Sequence, residues 1–245
     1  MKILSIESSA VSASAAIVEG ERIRALCTTN AGLTHSRTLL PMIDAALKNS
    51  ETPLSDIDCF ACAVGPGSFT GIRIGIAAVK GFCDATNKKC IPVSTLEGLA
   101  YNLIGQPVLA CAVMDARCRQ VYCALFDVRG KTAVRLTDDA AMSIDDLGTL
   151  LKSYDSPVVF VGDGALLCEE ALGYPAAPAL TRYQNAASVA FAAQQHWSED
   201  ALLTGAQLMP VYLRLPQAER ELKKRTGSDT ETKTPLSRHH LSTEK

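Results

Sequence analysis

Val64-Gly65-Pro66-Gly67-Ser68-Phe69-Thr70-Gly71-Ile72-Arg73-Ile74-Gly75 joins an apolar run over residues 57–64 to a helix-compatible segment over residues 71–85. A strand that turns through glycines into a helix leaves backbone N–H groups free at the helix start, where the macrodipole favours negative charge. Glycines also suit a tight packing corner, where chains approach with no Cβ between them. Both readings stand. As an anion or nucleotide contact the junction would use Gly65, Gly67, Ser68 and Arg73, with Glu7 and Ser8 from the end of the first strand.

Working outward, residues 3–6, 13–18 and 22–28 read as strands, the last two joined by a Glu19-Gly20 turn. A helix follows with Leu39, Leu40, Ile43, Ala46 and Leu47 on one stripe; Ser36 or Thr38 caps it, and Pro41 lies in its first turn or kinks it. Beyond the glycine junction come a helix over residues 71–85, a strand over 90–93, a helix over 96–103 and a Gly105-Gln106-Pro107 linker. The order then recurs. A strand over 108–114 ends in Asp115, as the first ends in Glu7, and a hairpin of residues 120–128 and 131–136 turns about Arg129-Gly130. A helix over 144–152 precedes a strand over 158–161 that runs into Gly162-Asp163-Gly164. Helices over 166–172 and 186–197 and a short extended piece at 211–213 complete the second half. Two related α/β halves with a cleft between them predict a duplicated ribonuclease H-like fold, as in actin, Hsp70 and sugar kinases. The predicted lobes are residues 1–104 and 105–220. Residues 221–245, polar and without apolar periodicity, are predicted to be a disordered tail.

Composition narrows the function classes. The 245 residues are 47% hydrophobic and 5% aromatic with a net charge of −2, which argues against a self-sufficient nucleic-acid binder. No apolar run reaches membrane-spanning length and the start makes a poor signal peptide, so a soluble cytoplasmic protein is expected. Nine cysteines without a secretory signal suit buried, reduced thiols. Cys59-x-x-Cys62 would point to opposite faces of a strand, which argues against a metal pair.

The glycine junction is not a Walker loop, because Ile72 stands where lysine would be. It lacks the dinucleotide spacing, and Ser68 is flanked by Pro66 and Thr70 rather than the glycines of a nucleophile elbow. Glu7 and Asp115 sit where kinase-like folds hold a nucleotide's metal, but Arg117 beside Asp115 supplies its own counter-ion, favouring ion pairing or turn capping. Of the histidines, only His35 and His196 precede the tail. The helix over 71–85 is apolar nearly all round and must be covered on two sides. Gly71/Gly75 and Ala77/Gly81, at four-residue spacing, would admit a second helix. That cover is either the second lobe or another molecule.

Lys2-Ile3-Leu4-Ser5-Ile6-Glu7-Ser8-Ser9, His35-Ser36, Leu39-Leu40-Pro41-Met42-Ile43, the Gly65 to Gly75 block, Ser94-Thr95-Leu96-Glu97-Gly98-Leu99 and Asp115-Ala116-Arg117 occur in an order that resembles the TsaB (YeaZ) family over about residues 1 to 215. The resemblance implies a non-catalytic partner of the TsaD subunit in bacterial synthesis of threonylcarbamoyladenosine beside the anticodon of ANN-decoding tRNAs. The related TsaD carries Asn-His-Leu-Glu-Gly-His, whose histidines bind metal; Thr95 and Leu99 stand in those places here, and neither is a competent ligand. It further implies that the chain itself needs no cofactor, with ATP, ADP and metal belonging to TsaD and to a TsaE-type ATPase that docks on the pair. The resemblance implies contact with tRNA only indirectly. The partner surface it implies is a four-helix contact using Leu39, Leu40, Ile43, Leu47, Gly71, Ile74, Gly75, Ala78 and Phe82. The rival expectations are a residual ATPase or glycoprotease-like enzyme, and a homodimeric module that uses the same helical face in isolation. Glu7 stands where many members have Asp, and the tail beyond about Lys223 exceeds the usual family length.

Overall fold

Aliphatic and β-branched runs of five to eight residues favour strands, and the computed structural model, which describes residues 1–214, arranges them in two sheets. In the first, β1 (Lys2–Glu7) pairs antiparallel with β2 (Ala13–Glu19), and β2 with β3 (Arg22–Thr29). On its other side β1 runs parallel to β4 (Cys59–Gly65), and β4 to β5 (Cys90–Ser94), giving the order β3-β2-β1-β4-β5. The second sheet repeats the plan: β6 (Leu109–Asp115) pairs antiparallel with β7 (Gln120–Asp127) and parallel with β10 (Val158–Val161). Two short pieces on β7, namely β8 (Val134–Arg135) and β9 (Ala140–Ser143), share the position that β3 holds in the first sheet. The fifth position is reduced to a bridge between Phe160 and Ala176. This is the duplicated ribonuclease H-like α/β fold.

Several expected boundaries shift. The second hairpin arm shrinks to two residues because the Thr137 hydroxyl accepts the Leu125 N–H, ending the ladder. The helix α1 (His35–Asn49) starts after Thr34, so neither Ser36 nor Thr38 caps it, and Pro41 lies inside it beyond the first turn. The next helix, α2 (Phe69–Thr86), begins before residue 71 because Ser68 caps it, accepting from the Gly71 N–H. Residues 211–213 form no strand; the Val211 N–H donates to the Val64 carbonyl at 2.8 Å. The predicted tail lies outside the described residues, as do positions 215–220 of the predicted second lobe.

Helices cover all four sheet faces. On the first sheet, α1 and α2 pack on one face, over Leu4, Ile6, Ile17, Phe60 and Cys62. The other face, with Ile3, Val18, Cys59 and Ala61, lies under α7 (Ala186–Gln195), so Cys59 and Cys62 do face opposite ways. On the second sheet α3 (Thr95–Ala100) covers Ala110, Ala112 and Phe126, while α4 (Ile144–Leu151) and α5 (Ala165–Leu172) cover Cys111, Val113 and Phe160. A one-turn helix, α6 (Ala179–Arg182), precedes α7 and was not expected. The inner helices are exchanged: α3 follows the first sheet but covers the second, and α7 does the reverse. They meet where Gly98 faces Val189, and Ser5 and Ser14 hydrogen-bond the Ala186 backbone at 2.6 and 2.8 Å. Residues Met1–Leu213 form one compact unit.

Candidate functional site

The carboxyl ends of β1, β4, β6 and β10 converge, the usual ligand position in α/β folds. Here the chain fills its own corner. Gly65 and Gly67 adopt φ of +125° and +153°, conformations only glycine holds easily. A Cβ on Gly65 would overlap the Val211 carbonyl, one on Gly67 the Ser9 carbonyl, and one on Gly71 the Ser8 carbonyl. The Ser68 N–H donates to Ser9 O at 2.7 Å, and the Ser8 hydroxyl to Gly71 O at 2.9 Å. The junction is thus a packing corner for the Ser8-Ser9 backbone. Arg73 is engaged as well: its Nε donates to the Tyr212 hydroxyl at 2.7 Å, beside the stacked Phe69 and Tyr212 rings.

Glu7 and Asp115 perform the same job in the two halves, each accepting the backbone N–H two residues on. Ser9 N lies 2.5 Å from Glu7 Oε1, and Arg117 N lies 2.7 Å from Asp115 Oδ1. This is turn capping by a carboxylate. Glu7 is 1% exposed, and burial pushes its carboxyl up to about 7. Asp163, which ends the second half's equivalent turn, is also raised by burial, and its carboxylate accepts from Gln184 Nε2 at 2.7 Å. Gln184 in turn accepts the Ser12 hydroxyl at 3.4 Å. Sequence reasoning did not select Asp163, Gln184 or Ser12; the signal for the first was Gly162-Asp163-Gly164 at a strand end.

Thr95 and Leu99 are each 1% exposed, and Leu99 is part of the apolar cluster between α3 and the second sheet. Among the described residues no group of three or more His, Cys, Asp or Glu side chains is placed to hold a metal. His35 Nε2 lies 2.7 Å from the Ala10 carbonyl, at the entrance of α1. Among the described residues no helix is long and apolar enough to cross a membrane.

The residues expected on a helical partner surface divide in two. Leu39, Ile43, Gly71 and Gly75 are buried within the chain itself, which corrects their placement on the surface. Gly71 and Gly75 turn inward because the Ser8 backbone and side chain need the space above them. Leu40 is 56% exposed, and Leu47, Ile74, Ala78 and Phe82 are half-buried against the first core. The outermost strip of α2 is Arg73, Ala77 and Gly81, and a Cβ on Gly81 would meet no atom within 4 Å.

A second polar cluster joins the exchanged helices. His196, at the end of α7, sits 2.7 Å from Glu97 Oε1 on α3, and this contact raises the His196 pKa. The folded value lies above the unfolded one of about 6.5. The stabilisation is therefore complete below the unfolded value and fades as pH rises through the folded value. Glu97→Gln should lower the melting temperature more in mild acid than at pH 9. An equal drop at both would show that the ion pair contributes nothing.

The sequence matches the family model "TsaD: tRNA N6-adenosine threonylcarbamoyltransferase" over residues 29–219. It is 29% identical over 223 residues to the tRNA threonylcarbamoyladenosine biosynthesis protein TsaB of Bacillus subtilis (strain 168), covering 89% of this chain and 96% of that one. It is also 29% identical over 198 residues to the tRNA N6-adenosine threonylcarbamoyltransferase of Sphingopyxis alaskensis, covering 74% of this chain and 53% of that protein. The solved structure of YeaZ from Pseudomonas aeruginosa superposes with a TM-score of 0.75 at 24% identity, covering 86% of this chain and 99% of that one. Matched by that model over residues 29–219 and aligned with the Bacillus subtilis TsaB over nearly the whole of both chains, the chain belongs to the TsaD family, in the TsaB (YeaZ) branch.

Proposed function

We propose that this chain is the non-catalytic scaffold subunit of a TsaD-type transferase, acting in the cytoplasm in threonylcarbamoyl transfer to the adenosine beside the anticodon of ANN-decoding tRNAs. A TsaE-type ATPase docks on the pair; nucleotide and metal belong to those partners, and tRNA is met through them. One observation carries the reading. The chain's own Ser8-Ser9 backbone packs into the corner where a ligand would sit, while α2 turns Ala77 and Gly81 outward with Leu40 of α1 also exposed. Small outward residues let a partner helix approach closely. The contact surface proposed is accordingly Leu40, Ala77 and Gly81, flanked by Ile74, Ala78 and Phe82, rather than the buried glycines.

Size-exclusion chromatography with light scattering, on the chain alone and with a TsaD-type subunit, tests this. A mixed species is expected, and Ala77→Glu should weaken it about 30-fold or more by placing a charge in a packed seam. A homodimer that persists beside TsaD with no mixed species would reject the partner. ATP turnover by the chain alone that disappears in Glu7→Ala would favour an enzyme instead.

A further inference from the structure

An apolar cavity of about 400 Å³ opens at the free edge of β5, lined by Ile91, Pro92, Glu97, His196, Ala201 and Leu203. Its origin is local. Cys90 and Leu203 exchange backbone hydrogen bonds of 2.9 Å in each direction, an isolated antiparallel bridge. The next pair along it would be Pro92 with Ala201. Proline has no N–H to donate, and the Ala201 N–H turns instead to Ser198 O at 3.1 Å. The two segments part there, and Glu97 of α3 and His196 at the end of α7 complete the wall between them.

The polar part of that wall is held from behind. His196 Nε2 lies 2.7 Å from Glu97 Oε1, and Ser94 Oγ accepts the Glu97 N–H at 3.3 Å. Ser94 in turn donates to Asp139 at 2.6 Å; Asp139 accepts from Arg135, which lies over the Phe126 ring at 4.6 Å. Arg135 comes only within 3.9 Å of Glu97 Oε2, beyond hydrogen-bond range. That oxygen accepts no hydrogen bond from any described residue, although the Glu97 side chain is only 13% exposed. In the neutral imidazole the proton sits on Nε2, towards the carboxylate, so Nδ1 is a second free acceptor. Glu199 and Asp200, exposed beside Ala201, add negative charge at the rim. A carboxylate ligand would find one donor here, and only with His196 protonated.

We propose that this cavity binds a small primary amine with an apolar body, its ammonium on Glu97 Oε2 and His196 Nδ1, its body against Ile91, Pro92 and Leu203. The three N–H donors of an ammonium match the two free acceptors and carry the complementary charge. At about 30 Å³ per heavy atom the cavity holds about a dozen such atoms. That is more than a lysine stem fills, so the occupant is a free arylalkyl amine rather than a side chain of another protein. The site is separate from the outward strip of α2, because Ile91 belongs to the core face under α7.

The test titrates 2-phenylethylamine into the full chain, read by calorimetry and by the fluorescence of Trp197, the chain's one tryptophan and the neighbour of His196. Saturable binding is expected, with 3-phenylpropionate and N-acetyl-lysine amide both weaker. Glu97→Gln should weaken the amine about tenfold or more, the loss of a hydrogen bond to a charged group. Ala201→Phe, which fills the cavity, should abolish binding. The amine should bind more than about fourfold more weakly at pH 6 than at pH 8.5, because an imidazolium must first lose its proton and the contact with Glu97 holds the His196 pKa above 6.5. If Glu97→Gln does not fold, this pH profile of the unaltered chain reads the same contact. No saturable binding, equal binding of 3-phenylpropionate, tighter binding of N-acetyl-lysine amide, equal affinity at the two pH values, or undiminished binding by folded Ala201→Phe would each overturn the proposal.

Discussion

Gly75→Leu should destabilise the chain by about 3 kcal/mol, the range for overfilling a packed site, while Gly81→Leu on the same helix should leave it folded. The two glycines differ only in what faces them. A Cβ on Gly75 would lie 2.5 Å from the Ser8 hydroxyl oxygen and 3.5 Å from Cys62 Sγ and Ile6 Cγ2. Ser8 cannot retreat freely, because its hydroxyl is bonded to Gly71 O and its neighbour's carbonyl holds the Ser68 N–H. At Gly81 there is open space, and leucine improves helix propensity by under about 1 kcal/mol. Urea unfolding of both variants checks this. Equal loss at the two positions would show that α2 packs differently from the description above.

Glu7→Gln should stabilise the chain in mild alkali by up to about 3 kcal/mol, the free energy that corresponds to raising a carboxyl from 4.5 to about 7. The first cause is burial, with the nearby Asp163 acting in the same direction and the Ser9 hydrogen bonds opposing it. Because the folded value is the higher one, the native chain binds more protons than the unfolded chain between 4.5 and about 7. Wild-type stability therefore falls as pH climbs through that window and stays lower above it. Glutamine keeps the shape and an acceptor for the Ser9 N–H but never ionises, so the variant should be nearly flat across the same range. Unfolding free energies at pH 4, 6 and 8 would show the curves meeting in acid and parting in alkali. A Glu7→Gln variant weaker than wild type at pH 8 would mean that the ionised carboxylate is what the corner needs.

The fold was readable because its signals are local and occur twice. Glu7 and Asp115 close the first strand of each half, a hairpin follows each, and Gly-x-Gly ends each fourth strand. What escaped the reading is nonlocal. Because α2 is apolar nearly all round, no periodicity says which side of it faces inward; the Ser8-Ser9 backbone, far away in sequence, decides that Gly71 and Gly75 do. The exchange of α3 and α7 rests on contacts such as Gly98 with Val189, which no spacing encodes. The missed pieces β9 and α6 are four residues each, and the Ala-Ala-Met-Ser of β9 has no β-branched residue to mark it. The buried group around Glu7 draws Ser12, Asp163 and Gln184 from three separate segments. The acids at the strand ends were visible one at a time, with ion pairing or turn capping as the favoured reading, and the hydrogen bonds at Ser9 and Arg117 show the capping; the link from Asp163 through Gln184 to Ser12 emerged only in three dimensions.

Threonylcarbamoyl transfer reconstituted with a TsaD-type subunit, a TsaE-type ATPase and the substrate tRNA is the most direct test, with this chain added in two altered forms. Glu7→Gln, confined to the filled cleft, should support transfer at the wild-type rate. Ala77→Glu, on the outward strip of α2, should fold normally yet support none. The opposite pattern, activity lost with the cleft substitution and kept with the surface one, would contradict a chain whose work is done by its outer helices.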